Sequence, residues 1–204
     1  MKKFLLILII IALFLGTLGA ISANADVKTT EPAPNFSLPD TRGKMQSLVD
    51  FKGKYVVLEW VNFDCPFVKK HYDSNNMQSL QNEMVEKGVV WLSINSSAEG
   101  KQGHFTPEEV QERIKQKGAA PTAYLFDSKG EVGRLYGAKT TPHMFIINPE
   151  GVLIYQGAID NTPSTDTEDI AGAKNYVRTA LAEAMAGQAV VDSTTQSYGC
   201  SVKY

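Results

Sequence analysis

The stretch that most constrains this chain is an apolar run, Tyr55 to Val61, that stops at Asn62-Phe63-Asp64 and passes through Cys65 into Pro66. A run this short, ended by polar residues, reads as a buried strand. Proline suits the first turn of a helix, where its missing N–H and preset φ cost nothing. The junction therefore predicts a strand feeding directly into a helix, with a cysteine at the point of entry. A cysteine there meets unpaired backbone N–H groups and the positive end of the helix dipole. Both favour thiolate over thiol, and the thiolate is the nucleophile. Lys69, four residues on, would add positive charge from the same helix face, while Asp64 would oppose it. The alternative is a buried cysteine acting as a small hydrophobe. The strand-end, helix-start setting favours nucleophilic redox chemistry.

The remaining elements follow from periodicity and turn chemistry. Phe36–Leu38 and Met45–Leu48 flank a turn at Gly43 and suggest a hairpin. The helix opened by Pro66 breaks at Ser74-Asn75-Asn76, and Met77, Leu80 and Met84 carry a second segment to Gly88. Val89–Ile94 is a continuous apolar run, as expected of a central strand. Thr106-Pro107-Glu108-Glu109 is a capping box opening a helix that ends at Gly118. Thr122–Phe126 is the next strand, and a helical turn around Val132, Leu135 and Tyr136 leads to Thr140-Thr141-Pro142. His143–Ile147 and Val152–Gln156 are joined by Asn148-Pro149-Glu150-Gly151, whose proline and glycine suit a tight turn between antiparallel strands. Val177, Leu181 and Met185 mark a closing helix. Strand–helix alternation followed by a hairpin predicts an α/β fold with a mixed sheet covered on both faces.

The N-terminus carries Lys2 and Lys3, an apolar run from Phe4 to Leu15, and Ala23-Asn24-Ala25. This is the pattern of a secretory signal peptide over residues 1–25, and the run is short for a membrane span. Residues 26–34 read as a polar linker, 35–187 as one domain, and 188–204 as a tail holding Cys200. The expected location is periplasmic or secreted, with no membrane attachment after cleavage. Cys65 and Cys200 are the two cysteines of the chain, and an oxidising compartment permits a bond between them. A net charge of −2 without basic runs argues against nucleic-acid binding.

Four motifs, in order, carry a resemblance: Ala33-Pro34-Asn35-Phe36-Ser37-Leu38, Cys65-Pro66, Thr141-Pro142, and Phe145 to Gly151. From about Pro32 to Gly187 the chain resembles thioredoxin-fold redoxins of the alkyl hydroperoxide reductase/thiol-specific antioxidant (peroxiredoxin-like) family. The resemblance implies a thioredoxin-like three-layer fold, and a cis Pro142 that, with Thr141, faces the active cysteine and engages substrate. The chain departs from the thioredoxin branch, because Val68 stands where Cys-x-x-Cys has its second cysteine. It departs from the peroxidase branch too, with Asn62 in place of a threonine and Pro142 about where an arginine falls. In that family these two groups hold and polarise the peroxide.

These readings predict an exported thiol oxidoreductase in which Cys65 attacks and Cys200 resolves, with disulfide exchange faster than peroxide reduction. The expected partners are a protein or small-molecule disulfide, or a peroxide, and an external thiol reductant. No cofactor or metal is expected, since copper redoxins of this fold use a second nearby cysteine. The rival reading is a partner-binding module locked by a static Cys65–Cys200 disulfide. His71 is expected to be solvated or at the core edge rather than a catalytic base, His143 to lie near the site, and Trp60 and Trp91 to pack in the core.

Overall fold

The computed structural model describes residues 27–204; the expected signal peptide, residues 1–25, lies outside them. A hairpin, β1 (Ser37–Pro39) and β2 (Met45–Ser47), leads into β3 (Val56–Trp60). The helix α1 (Pro66–Asp73) follows, and Asn75 breaks it from α2 (Asn76–Glu86) by taking a left-handed φ of 58°. β4 (Val90–Asn95), α3 (Pro107–Lys117), β5 (Ala123–Phe126) and α4 (Glu131–Tyr136) complete the crossover half. Then come β6 (Thr140–Thr141), β7 (His143–Ile147), β8 (Leu153–Gly157), α5 (Tyr176–Met185) and β9 (Cys200–Ser201). The central sheet has the order β5-β4-β3-β7-β8. β3, β4 and β5 run parallel, whereas β7 is antiparallel to both β3 and β8. This is the predicted mixed α/β sheet.

β3 is buried along its whole length, and its alternation sorts side chains between two cores. Val57 faces a core built with Val68, Leu80, Val110 and Leu181 from α1, α2, α3 and α5. Val56, Leu58 and Trp60 face the opposite core with Phe36, Leu38, Val132 and Tyr136. Helices thus cover both faces, and β3 delivers Cys65 from the middle of the sheet.

One β3 side chain breaks the apolar pattern. Glu59 is fully buried and accepts from Trp91 Nε1 (2.8 Å), Ser93 Oγ (2.8 Å), Tyr72 OH (2.9 Å) and Gln81 Nε2 (3.1 Å). Burial raises its carboxyl above the usual range, and these four donors oppose the rise. Trp91 packs in the core as expected, with its indole N–H spent on this carboxylate.

The segments at either end of the domain lie against it. Val27 is buried, and Thr30 and Ala33 N–H donate to the Leu153 and Gly151 carbonyls. In the tail, Gln156 exchanges backbone hydrogen bonds with Ser193 and Thr195, and β9 pairs antiparallel with β6.

Candidate active site

Cys65 is the N-cap of α1, with φ −71° and ψ 127°, and its carbonyl accepts from Lys69 N–H. It is fully buried. The Thr141–Pro142 peptide bond is cis, and the Thr141 carbonyl lies 3.1 Å from Cys65 Sγ. Cys200 reaches the same point from the tail. Its strand pairs Cys200 with Thr141, and the two sulfurs stand 2.7 Å apart as free thiols. Gly199 makes the approach possible: at φ 136° it lies so close to the Thr141 carbonyl that a Cβ would collide with it. Cys65, Thr141–Pro142 and Cys200, on three segments far apart in sequence, are therefore brought together.

The two thiols are driven apart in acidity. Burial raises Cys65, but the Cys200 thiol, the Thr141 side chain and the Val68 backbone N–H more than offset it, so the group titrates below an ordinary thiol. Cys200 goes the other way, pushed up to about 11 by burial and by its hydrogen bond to Cys65. Of the two, Cys65 is the one that ionises more readily, and Cys200 holds its proton to higher pH. A thiol that ionises below the ordinary range beside a second thiol that keeps its proton is an arrangement able to carry out thiol–disulfide exchange.

Three neighbours differ from expectation. Lys69 is exposed, and the next residue, Lys70, is instead buried against Asp160 at 3.7 Å. The opposing charge of Asp64 is paired with Arg113 at 2.9 Å. His71 is fully buried rather than solvated or at the core edge, because the tail and residue 160 close over α1. Its Nε2 meets Tyr198 OH at 3.2 Å and its Nδ1 meets the Asn76 amide at 2.8 Å, so neither nitrogen is available as a base. His143 is buried beside Pro142 and receives the Lys139 N–H at 3.3 Å. Among the described residues, no group of three or more His, Cys, Asp or Glu is arranged to hold a metal ion.

Burial pushes His71 down from 6.5 to about 4, with Asp160 pulling upward and Lys70 downward. The unfolded chain therefore binds this proton below 6.5 and the native chain only below about 4. Stability falls as pH drops through that window. From pH 7 to 5 the His71 contribution amounts to about 2 kcal/mol. Urea unfolding at the two pH values, with His71→Gln as the flattened comparison, measures it; an equal pH slope in both proteins would contradict the assignment.

The profile of the AhpC/TSA family matches residues 29–156. The chain belongs to the AhpC/TSA family. It is similar to thiol-disulfide oxidoreductase ResA of Bacillus cereus, at 31% identity over 68% of this chain and 74% of that protein. Among solved structures, an uncharacterized conserved protein from Geobacillus kaustophilus aligns with a TM-score of 0.72 at 28% identity, covering 87% of this chain and 92% of that one. A putative thiol:disulfide interchange protein DsbE from Chlorobium tepidum aligns with a TM-score of 0.52 at 27% identity, over 64% and 85%. This member of the AhpC/TSA family thus has a thioredoxin-like fold, as its motifs imply. Its second sulfur comes from the tail and not from α1, where Val68 is buried in the core.

Two features were missed in the sequence. Glu59 was visible as a lone charge inside an apolar strand. The Lys70–His71–Asp160–Tyr198 grouping had no comparable signal, because its members lie on three separate segments.

Proposed function

We propose that this protein is an exported thiol-disulfide oxidoreductase with Cys65 as nucleophile and Cys200 as resolving thiol. The observation that carries the reading is the 2.7 Å approach of the two sulfurs at a helix N-terminus, with their acidities split. The Cys65 thiolate attacks one sulfur of a substrate disulfide. The substrate S–S bond breaks, and its other sulfur leaves as a thiolate. Cys200 then passes its proton to the departed thiolate and attacks Cys65 Sγ, releasing the second substrate thiolate and leaving a Cys65–Cys200 disulfide. An external thiol reductant returns the pair to two thiols. Residues 1–25 act as the signal peptide, so this takes place in the periplasm or outside the cell.

Disulfide exchange is the faster chemistry in this reading. Peroxide cleavage needs preorganised donors for the charge growing on the leaving oxygen. The Asn62 amide is occupied in shaping its own loop: its oxygen accepts from Asp64 N–H at 2.9 Å, and its Nδ2 points at the Gln102 carbonyl at 3.4 Å. A disulfide leaves as a thiolate that carries its charge well when its own pKa is low. The expected result is rapid reaction of the reduced protein with a model disulfide, and hydrogen peroxide consumption slower by about 10²-fold or more. Stopped-flow mixing with each oxidant measures it, and faster consumption of peroxide would refute the preference.

Full burial of Cys65 favours a second reading, a scaffold locked by a static disulfide. Thiol titration under mild reductant separates the two. The enzyme reading expects ready reduction, the scaffold reading resistance.

A further inference from the structure

Three buried polar side chains outside the sulfur chemistry, together with the half-buried Tyr198, form one cluster that joins α1 to the tail. Lys70, His71 and Asp160 are each at least 98% buried. Lys70 Nζ donates to the Thr162 carbonyl at 2.7 Å and lies 3.7 Å from Asp160 Oδ2. Tyr198 OH donates to Asp160 Oδ1 at 2.5 Å and faces His71 Nε2 at 3.2 Å. With Tyr198 donating to Asp160, His71 must donate from Nε2, leaving Nδ1 to accept from Asn76. Every donor and acceptor around the phenol is thereby assigned. The Tyr198 ring also packs on Phe67 of α1, with centroids 5.8 Å apart.

Stability alone explains such a cluster poorly. Buried ion pairs commonly contribute no more than apolar residues of the same volume, because desolvation offsets their attraction. Their better-attested use is to specify one arrangement among several. Here the arrangement specified is that of the tail: Tyr198 is two residues before Cys200, and α1, whose His71 meets the phenol, has Cys65 as its N-cap.

We propose that Tyr198 and Asp160 are positioning residues for the second sulfur transfer, clasping the tail so that Cys200 stays at Cys65. This rests on the assignment of Cys65 as nucleophile and Cys200 as resolving thiol. With the clasp in place, Cys200 attacks as soon as the mixed disulfide forms. Without it, the tail spends time away from Cys65, so the intramolecular step slows while access to Cys65 from solution improves.

The test is a single turnover of the reduced protein with an aromatic disulfide, dithiobis(nitrobenzoate), which releases one coloured thiolate at each step. The first release depends on probe concentration and reports attack by Cys65. The second does not, and reports attack by Cys200. Tyr198→Phe keeps the ring and removes only the hydroxyl; a hydrogen bond to a charged group is worth about tenfold or more in an equilibrium. The second release is expected to slow about tenfold in this variant, with the first unchanged or faster. Tyr204→Phe is the control, since it removes another tail hydroxyl, one that donates to the Ala138 carbonyl at 2.7 Å. It is expected to leave the second release unchanged. A second release within threefold of wild type in Tyr198→Phe overturns the clasp, as does equal slowing in Tyr204→Phe. Loss of the first release in wild type, or a second release persisting in Cys200→Ser, instead refutes the underlying roles of the cysteines.

Discussion

Cys65→Ser is expected to lose disulfide turnover by about 10³-fold or more, the scale on which removing a covalent nucleophile acts. Serine keeps the size of the side chain, but its hydroxyl is not ionised at neutral pH. Cys200→Ser behaves differently. Its Cys65 thiolate still attacks once, so one equivalent of mixed disulfide accumulates and turnover stops for want of the second thiol. In the wild type, the first attack rises with pH through the lowered pKa of Cys65 and is flat above it. Cys200, at about 11, contributes no thiolate of its own at neutral pH. Mass spectrometry of the adducts, with stopped-flow rates from pH 5 to 10, reads all of this. Substantial turnover by Cys65→Ser, or a titration at or above the ordinary thiol value, would refute the assignment.

Glu59→Ala is expected to be the most destabilising single change away from the sulfurs, at about 4 kcal/mol or more. Four buried donors lose their acceptor, each unsatisfied group costing roughly 1–3 kcal/mol, and partial collapse of the site reduces the sum. Tyr72 and Gln81 tie Glu59 to α1 and α2, while Trp91 and Ser93 tie it to β4, so the loss falls on the junction that holds α1 to the sheet. Glu59→Gln retains one acceptor oxygen and is expected to cost less than half as much. Burial raises the native carboxyl, so ionisation of Glu59 opposes folding as pH rises; the Gln variant lacks that contribution. Urea midpoints for the three proteins decide the matter, and a loss below about 1 kcal/mol in Glu59→Ala would show that the four donors are satisfied some other way.

Local patterns carried the elements of the fold. The Tyr55–Val61 run, the Thr106–Glu109 capping box and the Pro149–Gly151 turn each act over a few residues, through backbone geometry that neighbours in the chain decide. Cys65 was legible for the same reason, since a helix N-terminus is a local electrostatic setting. Pairing was not. Whether a tail some 135 residues away would bring Cys200 to Cys65 depended on β9 finding the β6 edge, on Gly199 passing the Thr141 carbonyl, and on Tyr198 reaching Asp160. The burial of His71 likewise depended on segments that meet α1 only after folding, because a helix in isolation does not reveal what will cover its outer face. Strand–helix order and the place of Cys65 at a helix N-terminus were thus determined along the chain. The identity of its sulfur partner was decided by tertiary packing, which alone brings distant backbones to one edge.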